Sequence, residues 1–556
     1  MGEAITNITI VGGGTAGWMA ALMLSNQLKT HIKSKHPMKI TLIESPNIAT
    51  VGVGEATVPG MPRTLQTAGI SERAFFKACN ATFKLGVYFD NWNTGPDGKP
   101  VGYINPFANA GALGGVGVGD YFLRFGAKNM NFTQVISPSV DLAAACHGPR
   151  PLGAKPYDKN VGFAYHLDAG KFAHLLRDTC IKAGVKHILD DVEGTELDER
   201  GYVAALQLKE MGRHPVELVI DCTGFRGLII NQALKEPFVN YSRYLANDRA
   251  LAVQLPHAEG AKLEPITRST ALGAGWSWRV PLYNRVGTGY VFSSAHRTDE
   301  EARAEFLKHL GPDHKDAEPR VIPMRIGRNQ NGWVKNCVSI GLSGGFIEPL
   351  ESTAIHMIDT GIRWLVSYFP DKDFAAPLRD RYNKLTGNLY DEIRDFICLH
   401  YALGNRTDDP YWIDAREALE VPDSLAENLE LWQYGLPQPF DLDFSSIFPV
   451  STYTAVLLGK RVYETGYGKG KLIANKSLDR TLWNKYLAHV QTSAAKTVSA
   501  TADHRDLVND IRGDTAKSFA PTWPLGQDAP KMSAQKAGDK TTQNPDALNQ
   551  DTASIL

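Results

Sequence analysis

Glu348 and Glu351 stand three residues apart inside a glycine-rich stretch running from Ile340 to Met357. A carboxylate held beside a reactive molecule is suited to taking or giving a proton. Just upstream, Cys337-Val338-Ser339-Ile340 is a short apolar run of the kind that forms a buried strand. Gly341, Gly344 and Gly345 let the backbone turn tightly and approach another molecule closely. Glu351-Ser352-Thr353 then leads into Ala354-Ile355-His356-Met357-Ile358, a helix start. Strand, glycine turn and helix N-terminus together make a place for an anion or a flavin edge. The plainer reading is a loop with a capping Ser or Thr, and this stretch alone does not separate the two. A second chemical candidate is Lys84, one lysine among apolar residues in the strand-like run Phe83 to Phe89. Such a lysine usually snorkels from a sheet edge. A buried one would be chemical, because its ammonium readily changes charge when desolvated.

The elements that must position these groups begin at the N-terminus. Ile5 to Val11 reads as a first strand, followed by Gly12-x-Gly14-x-x-Gly17 and an apolar helix from Trp18 to Leu24. Between strand and helix, this glycine pattern is a dinucleotide-binding signature rather than a bare turn. Lys39 to Ile43 is a second strand ending in Glu44, where an acidic side chain can accept hydrogen bonds from a ribose. Gly52-Val53-Gly54-Glu55-Ala56-Thr57 is another glycine loop. The strand Val216 to Ile220 is expected to pair with Val203 to Lys209 and ends in Asp221-Cys222-Thr223-Gly224, a turn that could meet a flavin ribityl or diphosphate. For each, the alternative is a turn without a ligand.

Residues 93–155 are rich in Gly, Pro and Asn and read as a functional excursion with a mobile surface, especially Ala110 to Gly119. Ala169 to Ala183 is expected to be a helix, with strands at Lys186 to Val192, Ala250 to Leu255, Gly275 to Pro281 and Gly287 to Ser294. Period-two alternation puts Trp276 and Trp278 on one face of the Gly275 strand. Beyond the central stretch the chain reads as helical and aromatic-rich, then from about Ser518 as a disordered tail.

Composition narrows the class. The chain has 556 residues, 43% hydrophobic and 21% charged, with a formal net charge of −1. It is long enough for a large core and two or more modules. Its charge gives no reason to expect nucleic acid or an anionic membrane as partner. No run approaches the ~18 apolar residues of a membrane span. Met1-Gly-Glu-Ala-Ile is not the start of a signal peptide. The six cysteines are scattered without C-x-x-C or zinc spacing, so no metal is expected and they read as reduced thiols of a cytoplasmic protein.

Taken together, the motifs resemble the flavin-dependent tryptophan halogenases. They are Gly12-x-Gly14-x-x-Gly17, Gly52-Val53-Gly54-Glu55-Ala56-Thr57, Lys84 in F-K-L-G, Tyr165-His166-Leu167-Asp168, Asp221-Cys222-Thr223-Gly224-Phe225, Trp276-x-Trp278-x-Val280-Pro281 and Phe346-Ile347-Glu348-Pro349-Leu350-Glu351-Ser352-Thr353. They occur in family order, and the similarity continues through Ile393-Arg394-Asp395-Phe396 and His400-Tyr401. The tryptophan motif separates these halogenases from related monooxygenases; Val280 replaces its usual isoleucine.

The resemblance implies an α/β fold. A Rossmann-like FAD-binding module of the flavin monooxygenase type would span 1–390, with a mostly helical substrate-side module over 391–517 and the tail over 518–556. It implies that reduced FAD (FADH2) and O2 oxidise a halide, chloride or bromide, to hypohalous acid. That acid would pass through a tunnel to Lys84, which holds it by hydrogen bond or becomes a haloamine, with Glu351 as polariser or proton acceptor. Flavin contacts would fall at Gly12, Gly14, Thr15, Ala16, Gly17, Glu44, Gly54, Glu55, Val192, Asp221, Leu342 and Ile355. The halide would lie on the backbone of Thr353 and Ala354; family members usually carry Gly at position 354. Phe107, Ser352, Trp276, Trp278, Tyr453 and Thr454 would line the tunnel and substrate site.

No second nucleotide motif is present, so a separate NAD(P)H-dependent flavin reductase is the expected partner, and a homodimer is compatible with the family. Relatives acting on free tryptophan carry Tyr-Tyr and, six residues on, a Glu that binds the amino acid. Tyr453-Thr454 and Lys460 stand at those places. A lysine there removes the partner of an ammonium, which disfavours free tryptophan and favours indole or another electron-rich arene. The competing functions are an aromatic flavin monooxygenase and a flavin-binding protein without halogenating activity.

Overall fold

Six strands form the central sheet, in the order Lys186–Leu189, Lys39–Glu44, Asn7–Val11, Leu218–Asp221, Cys337–Ser339 and Trp333–Val334. The first five run parallel; the last is antiparallel. Ile8, Ile10, Leu42, Leu218, Ile220 and Val338 are almost wholly buried within it. Such near-continuous apolar strands are what a parallel sheet covered on both faces requires. One face carries the helix Thr15–Gln27, which packs against Ala169–Lys182 and Ala354–Ser367. That helix is apolar nearly all round because helices enclose it on the sheet. A three-stranded meander, Val192–Leu197, Val203–Leu208 and Gly212–Pro215, packs over the other face. The structure is a computed structural model that describes residues 2–28, 38–48, 54–468 and 477–514. Gly52, Val53 and the expected tail lie outside the described residues. No helix among those described is long and apolar enough to cross a membrane.

A seven-stranded sheet stands beside the first, in the order Arg320–Pro323, Arg249–Leu255, Val286–Phe292, Gly275–Pro281, Thr267–Ala271, Gly86–Thr94 and Pro100–Pro106. A small third sheet joins Gly54–Ala56, Ala164–Asp168 and Thr82–Lys84. The fold is therefore α/β with a Rossmann-like core. The described residues belong to one compact unit. Residue 390 lies inside the helix Ala376–Ala402, so the division drawn there separates secondary-structure content and is not a break in the chain.

Three expectations change. The run Phe83 to Phe89 is not one strand. It breaks at Leu85 into Thr82–Lys84 and Gly86–Thr94, which belong to different sheets. At Gly86 a Cβ would lie 2.5 Å from the Asn105 carbonyl oxygen, so the close crossing with the Pro100 strand needs glycine there. Val203–Leu208 does not pair with the strand ending at Asp221; it pairs within the meander, and Leu218–Asp221 joins the central sheet. The excursion is not a bare loop either. It holds the strand Pro100–Pro106 and the helices Val118–Phe125, Phe132–Ile136 and Ser139–Ala145. Val118 and Tyr121 bury against Leu436, Ala455 and Trp483, which makes part of Ala110 to Gly119 a packing element of the C-terminal helices.

Asp221 ends a central strand, but its carboxylate is occupied locally. Oδ1 accepts hydrogen bonds from the Thr223 amide (3.0 Å) and hydroxyl (2.6 Å). Oδ2 accepts from the Ile229 and Ile230 amides, both at 2.9 Å. The Asp221 side chain thus shapes the turn that follows the strand. Asp221→Ala should cost on the order of 3 kcal/mol of folding free energy, because two buried amides lose their acceptor. Urea unfolding of the purified chain reads this directly.

Candidate active site

The small sheet places Lys84 at the end of a three-residue strand paired with Ala164–Asp168. The side chain is fully buried. Its Nζ donates to Ser352 Oγ (2.8 Å) and the Thr57 carbonyl (3.2 Å), and lies 5.3 Å from the centre of the Phe107 ring. Burial pushes the Lys84 ammonium down to about 7, while the nearby Glu351 charge pulls the other way. The lysine thus changes charge near neutral pH.

Ser352 adopts a left-handed conformation, φ 62°, after the tight turn Pro349–Glu351. A non-glycine residue there is strained, and the strain aims its hydroxyl at Lys84. Glu351 is buried beside it. Asn105 Nδ2 donates to Glu351 Oε1 at 3.0 Å, and His400 Nε2 lies 3.3 Å from the same oxygen. Asn105 shares one face of its strand with Tyr103 by two-residue alternation. The Tyr103 hydroxyl and Asn105 Oδ1 are both buried without a hydrogen-bond partner. Buried polar atoms are nearly always satisfied, so these two orphans near the Glu351 carboxylate are exceptions that set this spot apart from an ordinary core.

Glu348 does different work from Glu351. Its Oε2 accepts from Trp276 Nε1 (2.8 Å), Asn247 Nδ2 (2.7 Å) and the Tyr401 hydroxyl (3.0 Å). Burial raises its carboxyl above the ordinary value, opposed by those three donors. The group is an anchor for the turn bearing Glu351. Trp276 is its partner; Trp278 shares the face, with ring centres 6.3 Å apart, and lies over Gly289, where a Cβ would clash with the indole at 2.1 Å.

The other end of the same stretch forms a cradle. Gly12 turns at φ 118° against the Cys222 carbonyl, which a Cβ would approach to 2.2 Å. The helix Thr15–Gln27 then opens without a side-chain cap, and a Cβ at Gly14 would meet nothing within 4 Å. Glu44 packs on Gly13 and lies 2.9 Å from His187 Nε2. Gly341 sits against Ala16, and Leu342 is 37% exposed, an apolar side chain left open in the turn. Ile355 is buried behind it in the helix Ala354–Ser367, and Val192 opens the meander. Glu55 is pushed up to about 7 by burial and then by Asp168. An uncapped helix start, open space over glycine, a carboxylate at a strand end and an open apolar turn fit a dinucleotide such as FAD. Ala354 opens its helix without positive φ, and Thr353 before it makes no side-chain capping hydrogen bond.

The family model for tryptophan halogenase matches residues 7–471. The chain belongs to the tryptophan halogenase family. It is a flavin-dependent halogenase, an oxidoreductase. It is 38% identical over 481 residues to tryptophan 6-halogenase SttH of Streptomyces toxytricini, covering 81% of this chain and 88% of that one. The crystal structure of a tryptophan halogenase from Shewanella frigidimarina superposes with a TM-score of 0.85 at 32% identity, over 94% of this chain and 99% of that one. BrvH, a flavin-dependent halogenase from Brevundimonas sp. BAL3, gives a TM-score of 0.80 at 37% identity, over 92% and 99%.

In this halogenase Lys84, Ser352, Glu351 and Phe107 come together, while Thr454 and Lys460 spend their polar groups within the protein. Tyr453 is buried against Phe396 and Trp432. Thr454 donates its hydroxyl to the Val450 carbonyl one helical turn back. Lys460 is fully buried, donates to Asn93 Oδ1 at 2.7 Å and lies over Trp92. Sequence reasoning did not select Asn105, Tyr103 or His400. Polar residues two apart in an otherwise apolar strand, and a histidine inside a buried helix face, were the available signals.

Replacing Lys84 by Met should stabilise the fold while abolishing halogenation. The gain should be on the order of 2 kcal/mol, since relieving a buried charge outweighs two lost hydrogen bonds. A base whose folded value is lowered costs stability at low pH. The gain should therefore be full below about 7, shrink as pH rises and turn into a loss near 10.5, where only the two missing hydrogen bonds count. Thermal melts of both proteins across that range check the sign.

Proposed function

We propose that this halogenase transfers halogen from hypohalous acid, held by Lys84, to an electron-rich arene, with Glu351 taking the arene proton. The observation that carries the reading is the fully buried Lys84 ammonium, hydrogen-bonded through Ser352 to the turn that bears Glu351. Bound reduced FAD with O2 would supply the oxidising power that makes hypohalous acid from halide, and a separate NAD(P)H-dependent reductase would supply the reduced flavin. Thr15, Ala16, Glu44, Leu342 and Ile355 would hold that cofactor, and the Thr353–Ala354 backbone the halide.

The chain's own groups balance the transfer. An ammonium has three N–H bonds; two are directed at Thr57 and Ser352, leaving one for the hypohalous oxygen. As the oxygen–halogen bond breaks, halogen joins the ring carbon and Lys84 gives a proton to the departing oxygen, forming water. The ring C–H bond then breaks, its electrons restore aromaticity, and the proton passes to Glu351. Transfer from Glu351 to Lys84 resets both. In a pocket without bulk water these charges act strongly.

This donor role has a definite pH signature. Single-turnover halogenation with preformed hypohalous acid should fall as pH rises through about 7, where Lys84 loses its proton. A rate that climbs through the same interval would favour a haloamine formed on the neutral amine.

For the substrate, we propose indole or a larger substituted arene over free tryptophan. Thr454 is neutral and Lys460 basic, so neither offers a counter-charge to an α-ammonium, and both turn their polar groups into the protein. A weakly oriented arene reacts at its most electron-rich carbon, C3 of indole. Bromide, the easier halide to oxidise, should serve at least as well as chloride. We expect kcat/KM for indole to exceed that for tryptophan with either halide, measured with added flavin reductase and mass spectrometry of the products. Efficient chlorination of the benzo ring of free tryptophan would reverse the assignment.

A further inference from the structure

Lys84 stands in an edge strand. Thr82–Lys84 comes last in its three-stranded sheet and pairs with Ala164–Asp168 on one side, with Phe83 opposite Tyr165. At three residues it makes a short ladder. An edge also leaves backbone groups pointing outward, and burial obliges them to find partners. Phe83 is fully buried. Its amide donates to a side chain, His504 Nε2, 3.0 Å away and 421 residues further along the chain.

His504 opens the helix His504–Arg512, beyond residues 7–471 that the family model matches, and is fully buried. Its Nδ1 lies 3.0 Å from the Leu263 carbonyl oxygen. A carbonyl only accepts and an amide only donates, so Nδ1 carries the ring proton and Nε2 keeps its lone pair for Phe83. Burial agrees with this neutral ring, pushing the imidazole down to about 4. The segment of Leu263 also supplies the next support, because the Leu85 amide donates to the Pro265 carbonyl at 2.7 Å. Lys84 is thus bracketed. Phe83 is held by His504 before it and Leu85 by Pro265 after it, and His504 joins the two supports through Leu263.

The ring is itself held in place. The His504 amide donates to the Cys146 carbonyl at 2.8 Å, and further along the helix Arg512 Nη1 donates to the Phe76 carbonyl at 2.7 Å. The charged neighbours are engaged elsewhere. Asp503 accepts from the Arg505 amide, Arg505 donates to the Tyr283 carbonyl, and Arg150, which lies over the Phe83 ring, pairs with Glu72.

We propose that His504 is a positioning residue for halogen transfer: its imidazole takes the place of a neighbouring strand along the outer edge of Thr82–Lys84, and so sets where the Lys84 ammonium stands against Ser352 and Glu351. This inference rests on the role of Lys84 given above. His504 acts through the Phe83 amide and takes no part in the proton transfers.

Amide exchange on the full-length chain without flavin judges the contact alone, read by mass spectrometry on fragments that isolate Phe83. In His504→Leu, which offers no acceptor, the Phe83 amide should exchange about 10-fold faster than in the parent. His504→Gln, whose side-chain oxygen can accept that N–H, should restore most of the protection. Equal exchange in the parent and His504→Leu overturns the proposal, whether or not the chain halogenates an arene. Holoenzyme supplied with reductase, bromide and indole judges the consequence. His504→Leu should form bromoindole about 100-fold more slowly, with flavin affinity and the output of trapped hypobromous acid at the parent level, and His504→Gln should recover most of the rate. Bromoindole formation unchanged in His504→Leu, or lost in step with hypobromous acid and flavin binding, overturns the positioning role. A parent that makes hypobromous acid but no haloarene is a failure of the wider reading, and exchange at Phe83 still decides the contact. If His504→Leu fails to fold, 15N-histidine spectra of the parent, assigned by difference against His504→Gln, decide it. A proton on Nδ1 and a bare Nε2 at neutral pH are expected, and the opposite tautomer or an imidazolium overturns the proposal.

Discussion

An ammonium held away from water constrains the rest of this molecule. Lys84 needs acceptors on all sides, and the strand that carries it provides none. A carbonyl comes from Thr57 beyond the second glycine loop, and a hydroxyl comes from Ser352 beyond the central sheet. The opposing charge comes from Glu351. Three segments of the chain have to meet within hydrogen-bond distance: Thr57 and Lys84 belong to the small sheet, and Ser352 comes from the turn after Pro349–Glu351. The left-handed Ser352 is the local cost of that meeting, held in place by the packing of the turn.

The two glutamates of the turn divide the labour by environment. Glu348 meets three neutral donors on one oxygen and ties the turn to Trp276. Glu351 meets one amide, a histidine nitrogen and the field of Lys84. The tryptophan motif is consequently tied to the turn bearing Glu351 by a hydrogen bond. Loss of the Trp276 indole N–H would loosen the carboxylate three residues further on.

One stretch links the cofactor cradle to the arene site. Gly341 and Leu342 lie against the first glycine loop, and twelve residues later the chain reaches Thr353 and Ala354 beside Lys84's partners.

The sequence by itself determined the family and its flavin dependence. Gly12-x-Gly14-x-x-Gly17 between strand and helix, Glu44 at a strand end and the Glu348–Thr353 stretch are local patterns, because each element's function follows from its own backbone. The tertiary structure decided what depends on distance. Whether Lys84 snorkels or is buried, which glutamate anchors and which faces the lysine, and where Asp221 spends its oxygens all follow from contacts across long stretches of sequence. The break at Gly86 came from a close crossing with the Asn105 carbonyl, which strand periodicity does not encode. His400 entered only through the family similarity of His400-Tyr401, without a role, and Asn105 was not selected for the same reason: folding alone sets both against the carboxylate of Glu351.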